Sequence, residues 1–429
     1  MSKIFLTVSI LTIFLFIGWS IVCNLLTYAR SGVFEMNITL NDVTLRDING
    51  SSKNIEYYGN RLVVDDGVGR LTMDDVGIRG RGNMSWLADK KSYKIKLPSK
   101  INLFGRQKTN KVALIPNGSD DTFLRNDLAH YIARIIDDEH PVDGDFVDLS
   151  VNGEYIGLYY VVSPISIGKN GVDLRDSRGV LAELDNAYCS DEKRWRIIEE
   201  SGDCIAIMDV VSNNKEALDA EEYFFNSYEL FESAVFDGDF ERASLYADMD
   251  SWAGYYLVGE FAANLDMAVT SLKLYKDGLE DKIHAVMVWD FDWSFGNKNW
   301  DDARNPRILM TRYRMLFPEK IDYEADGGSC RFELERGSDE ARRLLSPMPC
   351  YLVDMPEFRR MVAEIYQNKL QDRRWEILGY IRDKAISIRE SAVRDNEKWN
   401  KRNFDDEVEY LIWWVNERFD YFDEVMVSY

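Results

Sequence analysis

The chain has 429 residues, of which 74 are acidic and 52 basic, and a formal net charge of −22. That length can bury a large core and suits two lobes or domains. The charge argues against a nucleic-acid binder, which needs clustered Lys and Arg to neutralise phosphates. It is compatible with a basic protein partner.

Residues 4–26 contain no charged side chain, and such a stretch is long enough to cross a bilayer core of roughly 30 Å. The small-x-small site of a cleaved signal peptide is not evident, so an uncleaved single-pass anchor is expected, with Cys23 near its end. Lys3 precedes it and Arg30 follows it, so charge sets the orientation only weakly. The large domain is expected outside the cytoplasm. The other four cysteines form local pairs, Cys189/Cys204 and Cys330/Cys350. Two disulfides in an oxidising compartment fit this spacing, and four free thiols fit it equally well. Only three histidines occur, His130, His140 and His284, scattered and without a CxxC, which argues against a Cys/His zinc site.

Residues 33–110 read as β-rich, with alternation over Phe34–Leu40, Arg61–Val64, Asp75–Arg79 and Ser92–Leu97. Val112–Ile115 reads as a strand and Thr122–Asp137 as a helix. Phe146–Val151 and Tyr155–Val162 form a hairpin around Asn152-Gly153. More strands and loops follow to about 210. The period then changes to helical: Lys215–Phe236, then Ser251–Asn264 with Asp250 as N-cap. A hairpin of Leu272–Lys276 and Ile283–Asp290 interrupts the helices. After a polar stretch at 297–350, helices are expected at Glu357–Gln371, Trp375–Lys398 and Asp406–Val425. The predicted organisation is an anchor and linker at 1–32, a β-rich lobe at 33–214 and a mainly helical lobe at 215–429.

The most informative segment is Val286-Met287-Val288-Trp289-Asp290-Phe291-Asp292-Trp293-Ser294-Phe295-Gly296. Period-two alternation places Asp290 and Asp292 on one face of a strand. Paired carboxylates there call for a cation, and a hard divalent ion carrying a phosphate is the usual one. Upstream, Gly77, Gly80 and Gly82 bracket Arg79 and Arg81. Such a run can cradle phosphate oxygens, or simply form a tight hairpin. Lys91, Tyr93 and Ile95 would share one strand face, and Lys94 and Lys96 the other. An inner-face lysine can reach a phosphate, and a lysine-studded edge strand is an equal reading. Thr122 or Asp121 would cap the helix that begins there, and Arg125 in its first turn calls for an acidic partner. Asp266 follows the helix containing Glu260 and Asn264.

In order along 78–296, these segments resemble the spore coat protein H (CotH) kinase family. The matching runs are Ile78-Arg79-Gly80-Arg81-Gly82-Asn83 with Ser85-Trp86, then Lys91-Ser92-Tyr93-Lys94-Ile95-Lys96. Asp121 through Arg125-Asn126 and Val151-Asn152-Gly153-Glu154-Tyr155-Ile156-Gly157-Leu158-Tyr159 follow. The last are Glu260 with Asn264 and Asp266, and Trp289-Asp290-Phe291-Asp292 with Ser294-Phe295-Gly296.

The resemblance implies an atypical protein-kinase-like, two-lobed α+β fold that binds ATP with Mg²⁺ or Mn²⁺ and phosphorylates Ser or Thr of a protein. It implies Asp266 as the catalytic aspartate and Asp290 as the metal ligand, with Asp292 a second ligand or a structural acid. A lysine of the 91–96 strand, Lys91 before Lys94, would hold phosphates with Arg79 and Arg81. A basic, Ser-rich protein is the expected substrate. Two positions depart from the family pattern. Ser271 stands where a metal-binding asparagine is usual, leaving a hydroxyl as the ligand, and Ser163 stands where a glutamate is usual. These departures favour a second reading, a pseudokinase or surface binding module. A third reading, a glycan hydrolase using Asp290 and Asp292, leaves the Gly/Arg and lysine segments unexplained.

Overall fold

The computed structural model describes residues 33–429 except 66, 68, 104–107, 138–141, 143, 169–170, 188, 190–193, 213–214, 268, 298–303 and 313–345. The expected anchor, Cys23 and Cys330 lie outside the described residues. Among the described helices, none is long and apolar enough to cross a membrane.

Seven strands close a barrel: β1 (Phe34–Thr39), β2 (Tyr57–Asp65), β3 (Arg70–Gly80), β4 (Tyr93–Asn102), β5 (Lys108–Ile115), β7 (Glu154–Val162) and β6 (Gly144–Val151), in that order around the sheet. Neighbours are antiparallel except β1 and β6, whose parallel pairing closes the ring. Alternation decides which side chains fill it. Met36 and Ile38, Val76 and Ile78, Tyr93 and Ile95, Val112 and Leu114, and Val147 and Leu149 all enter one buried core. Asn152 and Gly153 turn the β6–β7 hairpin with φ of 50° and 81°, the positive pair that a tight turn of this hand requires.

A second sheet has the order β12, β11, β8, β10, β9. Its strands β8 (Val180–Leu184), β9 (Arg194–Ile197) and β10 (Cys204–Val210) come from the β-rich part. β11 (Leu272–Lys276) and β12 (His284–Ala285) come from the helical part, so the sheet joins the two. Cys189 and Cys204 form a disulfide, as the spacing suggests. Cys350 is also disulfide-bonded.

The helices build the larger core. They are α1 (Leu45–Gly50), α2 (Met84–Leu87), α3 (Arg125–Ile136), α4 (Lys215–Phe236), α5 (Phe240–Tyr246), α6 (Met249–Phe261), α7 (Met348–Asp354), α8 (Pro356–Ile365), α9 (Arg374–Trp399) and α10 (Phe404–Val425). α6 is buried on all sides, from Trp252 to Phe261, as expected of a central helix rather than an amphipathic surface one. Its C-terminal end is gripped by the buried Arg418 of α10, whose Nε donates to the Phe261 carbonyl at 3.0 Å. The Glu260 carboxylate accepts from the Thr311 amide and hydroxyl at 2.9 and 2.7 Å. Glu260 is thereby a structural acid of α6.

The chain is thus mixed α+β, β-rich first and helical after, as the periodicity indicates. Several local expectations change. α6 begins earlier, capped by Asp248, which accepts from the Ser251 amide, and not by Asp250. α3 has no side-chain cap from Thr122 or Asp121; instead the Asp120 carboxylate accepts from the Arg125 amide at 3.0 Å. The expected 357–371 helix ends at Ile365 and continues as a wider turn over Tyr366–Leu370. The expected strand Ile283–Asp290 shrinks to two residues.

Beside the disulfide the core buries two acids. Asp203 accepts from Ser346 Oγ at 2.6 Å and Asn186 Nδ2 at 2.9 Å. Glu232 of α4 is buried, and one of its carboxylate oxygens lacks a partner. Burial pushes Asp203 up to about 6 and Glu232 up to about 8. Above about 4.5 the unfolded Glu232 releases a proton that the folded state keeps, so stability falls as pH rises from about 4.5 to about 8. Glu232→Gln mimics the protonated form. Its melting temperature should match wild type near pH 4.5 and exceed it by a growing margin up to pH 8. A gap that is flat with pH would refute this assignment.

Candidate active site

After β12 the chain leaves strand geometry. Val286, Met287 and Val288 stay buried, but Asp290 has φ 67°, Phe295 47° and Gly296 71°. Residues 286–296 are therefore an irregular loop and not the strand that their period-two alternation suggests. A non-glycine residue in left-handed backbone is uncommon and is tolerated where surrounding structure fixes it.

Two neighbouring segments do the fixing. From one side, the Phe291 amide donates to Asn126 Oδ1 at 2.7 Å, and Arg125 Nε donates to the Ser294 carbonyl at 3.1 Å. Asn297 Nδ2 donates to the carbonyls of Ser119 (2.8 Å) and Asp292 (2.5 Å). The Ser119 hydroxyl donates to the Asp292 carboxylate. From the other side, the Leu265 amide donates to the Trp293 carbonyl at 3.0 Å, and the Phe295 amide to the Ala262 carbonyl at 2.6 Å. The second set ties the turn carrying Asp266 to the loop carrying Asp290.

The electrostatics follow from this stapling. Dense surrounding protein and then the Asp266 charge push the Asp290 carboxyl up, while Arg81 and Lys273 pull it down. Asp290 nevertheless remains solvent-exposed. Asp290 is thus a carboxylate with dense protein around it that still reaches solvent. Asp292 is pushed up by burial and by Asp290, and the Ser119 hydroxyl opposes this. Asp290 and Asp292 lie close enough for each to act on the other's ionisation.

Two cations face these acids. Arg81 is hemmed in by protein, which pulls its guanidinium down, and Asp290 counters that. Its Nη1 donates to Ser92 Oγ at 3.0 Å. Lys273 of β11 is buried and ion-paired with Glu183, its register partner on β8. Arg81 and Lys273 lie 5.9 and 6.0 Å from the Trp289 ring, within the range of a cation–π contact.

Of the residues singled out in the sequence, the structure thus brings Asp266, Asp290, Asp292 and Arg81 together. Arg79 and Lys94 pair with each other one step further along β3 and β4. Lys91 does not share the inner face of Tyr93 and Ile95. Its Nζ donates to the Trp86 carbonyl at 2.7 Å and lies 5.0 Å from the Trp86 ring. Ser271 sits at φ 67° just before β11, and its hydroxyl enters none of the contacts joining Asp290, Asp292, Ser119 and Asn297. Gly80 serves packing, since a Cβ there would meet the Trp86 ring at 2.6 Å, and Gly82 takes a positive φ of 76°.

Lys273, Glu183, Ser119 and Asn297 were missed. For the first two a signal was available. Leu272-Lys273-Leu274 and Leu181-Ala182-Glu183-Leu184 each place one charge inside an apolar strand, and a charge there requires a partner. Ser119 and Asn297 sit in loops and carry no such pattern.

A family model described as CotH kinase protein matches residues 78–422. The chain belongs to the CotH kinase family. The match runs well past Gly296 and through nearly all of α10, where no motif was recognised. No curated protein matches the chain.

Glu183→Gln should leave the buried Lys273 ammonium without its carboxylate. A loss of about 3–5 kcal/mol is expected for breaking such a pair. Lys273→Met combined with Glu183→Leu should recover most of it. Urea unfolding of the three proteins measures both effects, and a stable Glu183→Gln would contradict the burial argument.

Proposed function

We propose that this chain is a membrane-anchored protein kinase with a two-lobed, kinase-like fold, which transfers the γ-phosphoryl of ATP to Ser or Thr of a protein. The large domain would lie outside the cytoplasm. The observation that carries the reading is the convergence of Asp266, Asp290 and Asp292 with Arg81 and Lys273 set against them. Phosphoryl transfer needs positioning and charge neutralisation more than covalent chemistry, and this set offers acids and cations for both.

The residues present fit a hard divalent cation. Burial and the neighbouring Asp290 push the Asp292 carboxyl up, and a bound cation would relieve both effects. Among the described residues, no group of three or more His, Cys, Asp or Glu side chains could hold a metal. Asp290 and Asp292 would therefore act as a pair, leaving other positions to water and phosphate oxygens, as Mg²⁺ prefers. When bound, Mg²⁺ or Mn²⁺ supplies charge neutralisation on the phosphates. Asp266 would orient the acceptor hydroxyl and take its proton. Arg81 and Lys273 would face the phosphate oxygens, with Glu183 fixing the lysine.

Purified full-length protein, given labelled ATP with Mn²⁺ or Mg²⁺ and a panel of acidic and basic Ser-containing peptides, should transfer phosphate. Asp290→Ala should lower transfer by a factor on the order of 10² or more. Equal transfer by both proteins would sink the proposal. The second reading, a binding module without catalysis, draws on Ser163 and Ser271. It predicts no rise in melting temperature with ATP and metal, whereas a nucleotide-binding kinase gains stability by mass action.

A further inference from the structure

The outer face of the barrel carries cations that the site above leaves unused. β3 and β4 pair Arg79 with Lys94, and β4 and β5 pair Lys96 with Lys111. Ile78, Tyr93, Ile95 and Leu97 fill the barrel, so Arg79, Lys94, Lys96 and Lys111 share the outside. Like charges directly opposite each other destabilise a sheet.

Little in the protein offsets that repulsion. Arg79 Nη1 donates to neutral oxygens, the Lys53 and Gly80 carbonyls at 3.2 Å and Asn54 Oδ1 at 3.4 Å. Lys96 Nζ donates to Tyr58 Oη at 2.9 Å. Among the described residues, Lys94 and Lys111 have neither an ion pair nor a side-chain hydrogen bond. Glu56 is an acid whose charge acts on Lys94, and it already accepts from Tyr58 Oη at 2.6 Å. Other surface arginines contrast with this: Arg61, Arg178, Arg389 and Arg394 hold carboxylates at 2.7, 3.0, 2.5 and 2.5 Å. In a chain with 74 acids to 52 bases, four cations on one barrel face without an ion pair among the described residues make a local excess of positive charge.

The stripe leads to the acids of the site. The Arg81 amide donates to the Ser92 carbonyl at 3.1 Å, continuing the β3–β4 pairing by one step, and the Arg81 charge acts on Asp290. From Arg81 the cations recede along β4 in steps of two residues. Arg79 and Lys94 are roughly 7 Å back, and Lys96 and Lys111 roughly 13 Å. That is the repeat of same-side residues in an extended peptide. Lys94 is also hemmed in. Burial, followed by the charges of Arg79 and Lys111, pushes its ammonium down to about 8, and a bound anion would relieve both effects.

We propose that this stripe docks an Asp- or Glu-rich segment of the protein substrate, with acidic side chains two and four residues from the hydroxyl presented to Asp266. The proposal rests on the phosphotransfer reading above and reverses the expectation of a basic substrate. It also separates Arg79 and Lys94 from the nucleotide phosphates, which fall to Arg81 and Lys273.

The test is fluorescence anisotropy on the full-length protein, using a labelled Ser-containing peptide rich in Glu and a Lys-rich peptide of equal length. The acidic peptide should bind, and added salt should weaken it. Lys96→Glu with Lys111→Glu should weaken it at least about tenfold. Should that reversal unfold the protein, Lys96→Gln with Lys111→Gln should weaken it about threefold. Equal binding by wild type and variant, or preference for the Lys-rich peptide, overturns the proposal. So does displacement of the peptide by ATP with metal, which would make the stripe a nucleotide subsite. Asp290→Ala should bind the acidic peptide like wild type. Peptide binding without any phosphate transfer would leave the docking surface standing and remove the kinase reading.

Discussion

Like-charge repulsion between Asp290 and Asp292, with Asp266 adding to it, is the constraint around which this part of the fold is arranged. Carboxylates left to themselves separate or take up protons. Here they are kept close because the backbone that bears them is stapled from both sides. The Leu265–Trp293 and Phe295–Ala262 hydrogen bonds hold one flank. The Asn126, Arg125 and Asn297 bonds hold the other. The repulsion is thus opposed by hydrogen bonds to the backbone that carries the acids and to Asp292 itself, and the left-handed backbone at Asp290 belongs to the same arrangement.

The second flank is itself held by the far end of the chain. Arg125 and Asp120 form a fully buried ion pair. The loop containing them is gripped by residues at and just beyond the end of α9. Asn396 Nδ2 donates to the Asp121 carbonyl at 3.1 Å, Arg402 Nε to the Asp121 carboxylate at 2.6 Å, and Lys401 Nζ to the Asn117 carbonyl at 2.9 Å. Asp395 joins the same end of α9 to the barrel. It pairs with the buried Lys90 at 2.6 Å and accepts from the Leu158 amide at 2.7 Å. α9 and α10 carry no recognisable motif, yet the end of α9 holds the loop that fixes Asp292, and Tyr410 Oη of α10 donates to the Gly296 carbonyl at 3.3 Å. This gives a physical reason for a family match that extends to residue 422.

What the sequence shows depends on whether the deciding interaction is local. The barrel strands were legible because one face of each is buried, and period two records that directly. The span of α4 and the β6–β7 turn were legible for the same kind of reason. The segment at 283–296 was not. Its alternation of apolar and acidic residues is compatible with a strand, and only the bonds to Asn126, Ala262 and Leu265, distant in sequence, turn it into a loop. Lys91 was misplaced by a smaller error of the same kind. Period two was extended back from Tyr93 into a residue that precedes β4 and is held by the carbonyls at Trp86 and Ala88. The Lys273–Glu183 pair was half visible, since each charge stands out in its strand, but their register is a tertiary fact.

The net charge of −22 does not forbid an acidic ligand, because distance decides which charges a ligand feels. At physiological salt, exposed charges are screened beyond about 8 Å. A ligand at the barrel wall therefore responds mainly to its immediate neighbours rather than to the whole surface. Those neighbours are Arg79, Lys94, Lys96 and Lys111, with Glu56 as the opposing acid near Lys94. The overall charge then lowers the rate of approach, while the local stripe sets the strength of the contact. Such a division favours a ligand with several anionic groups spaced along an extended chain over a single compact anion, because each step of the stripe must be filled to offset its own repulsion.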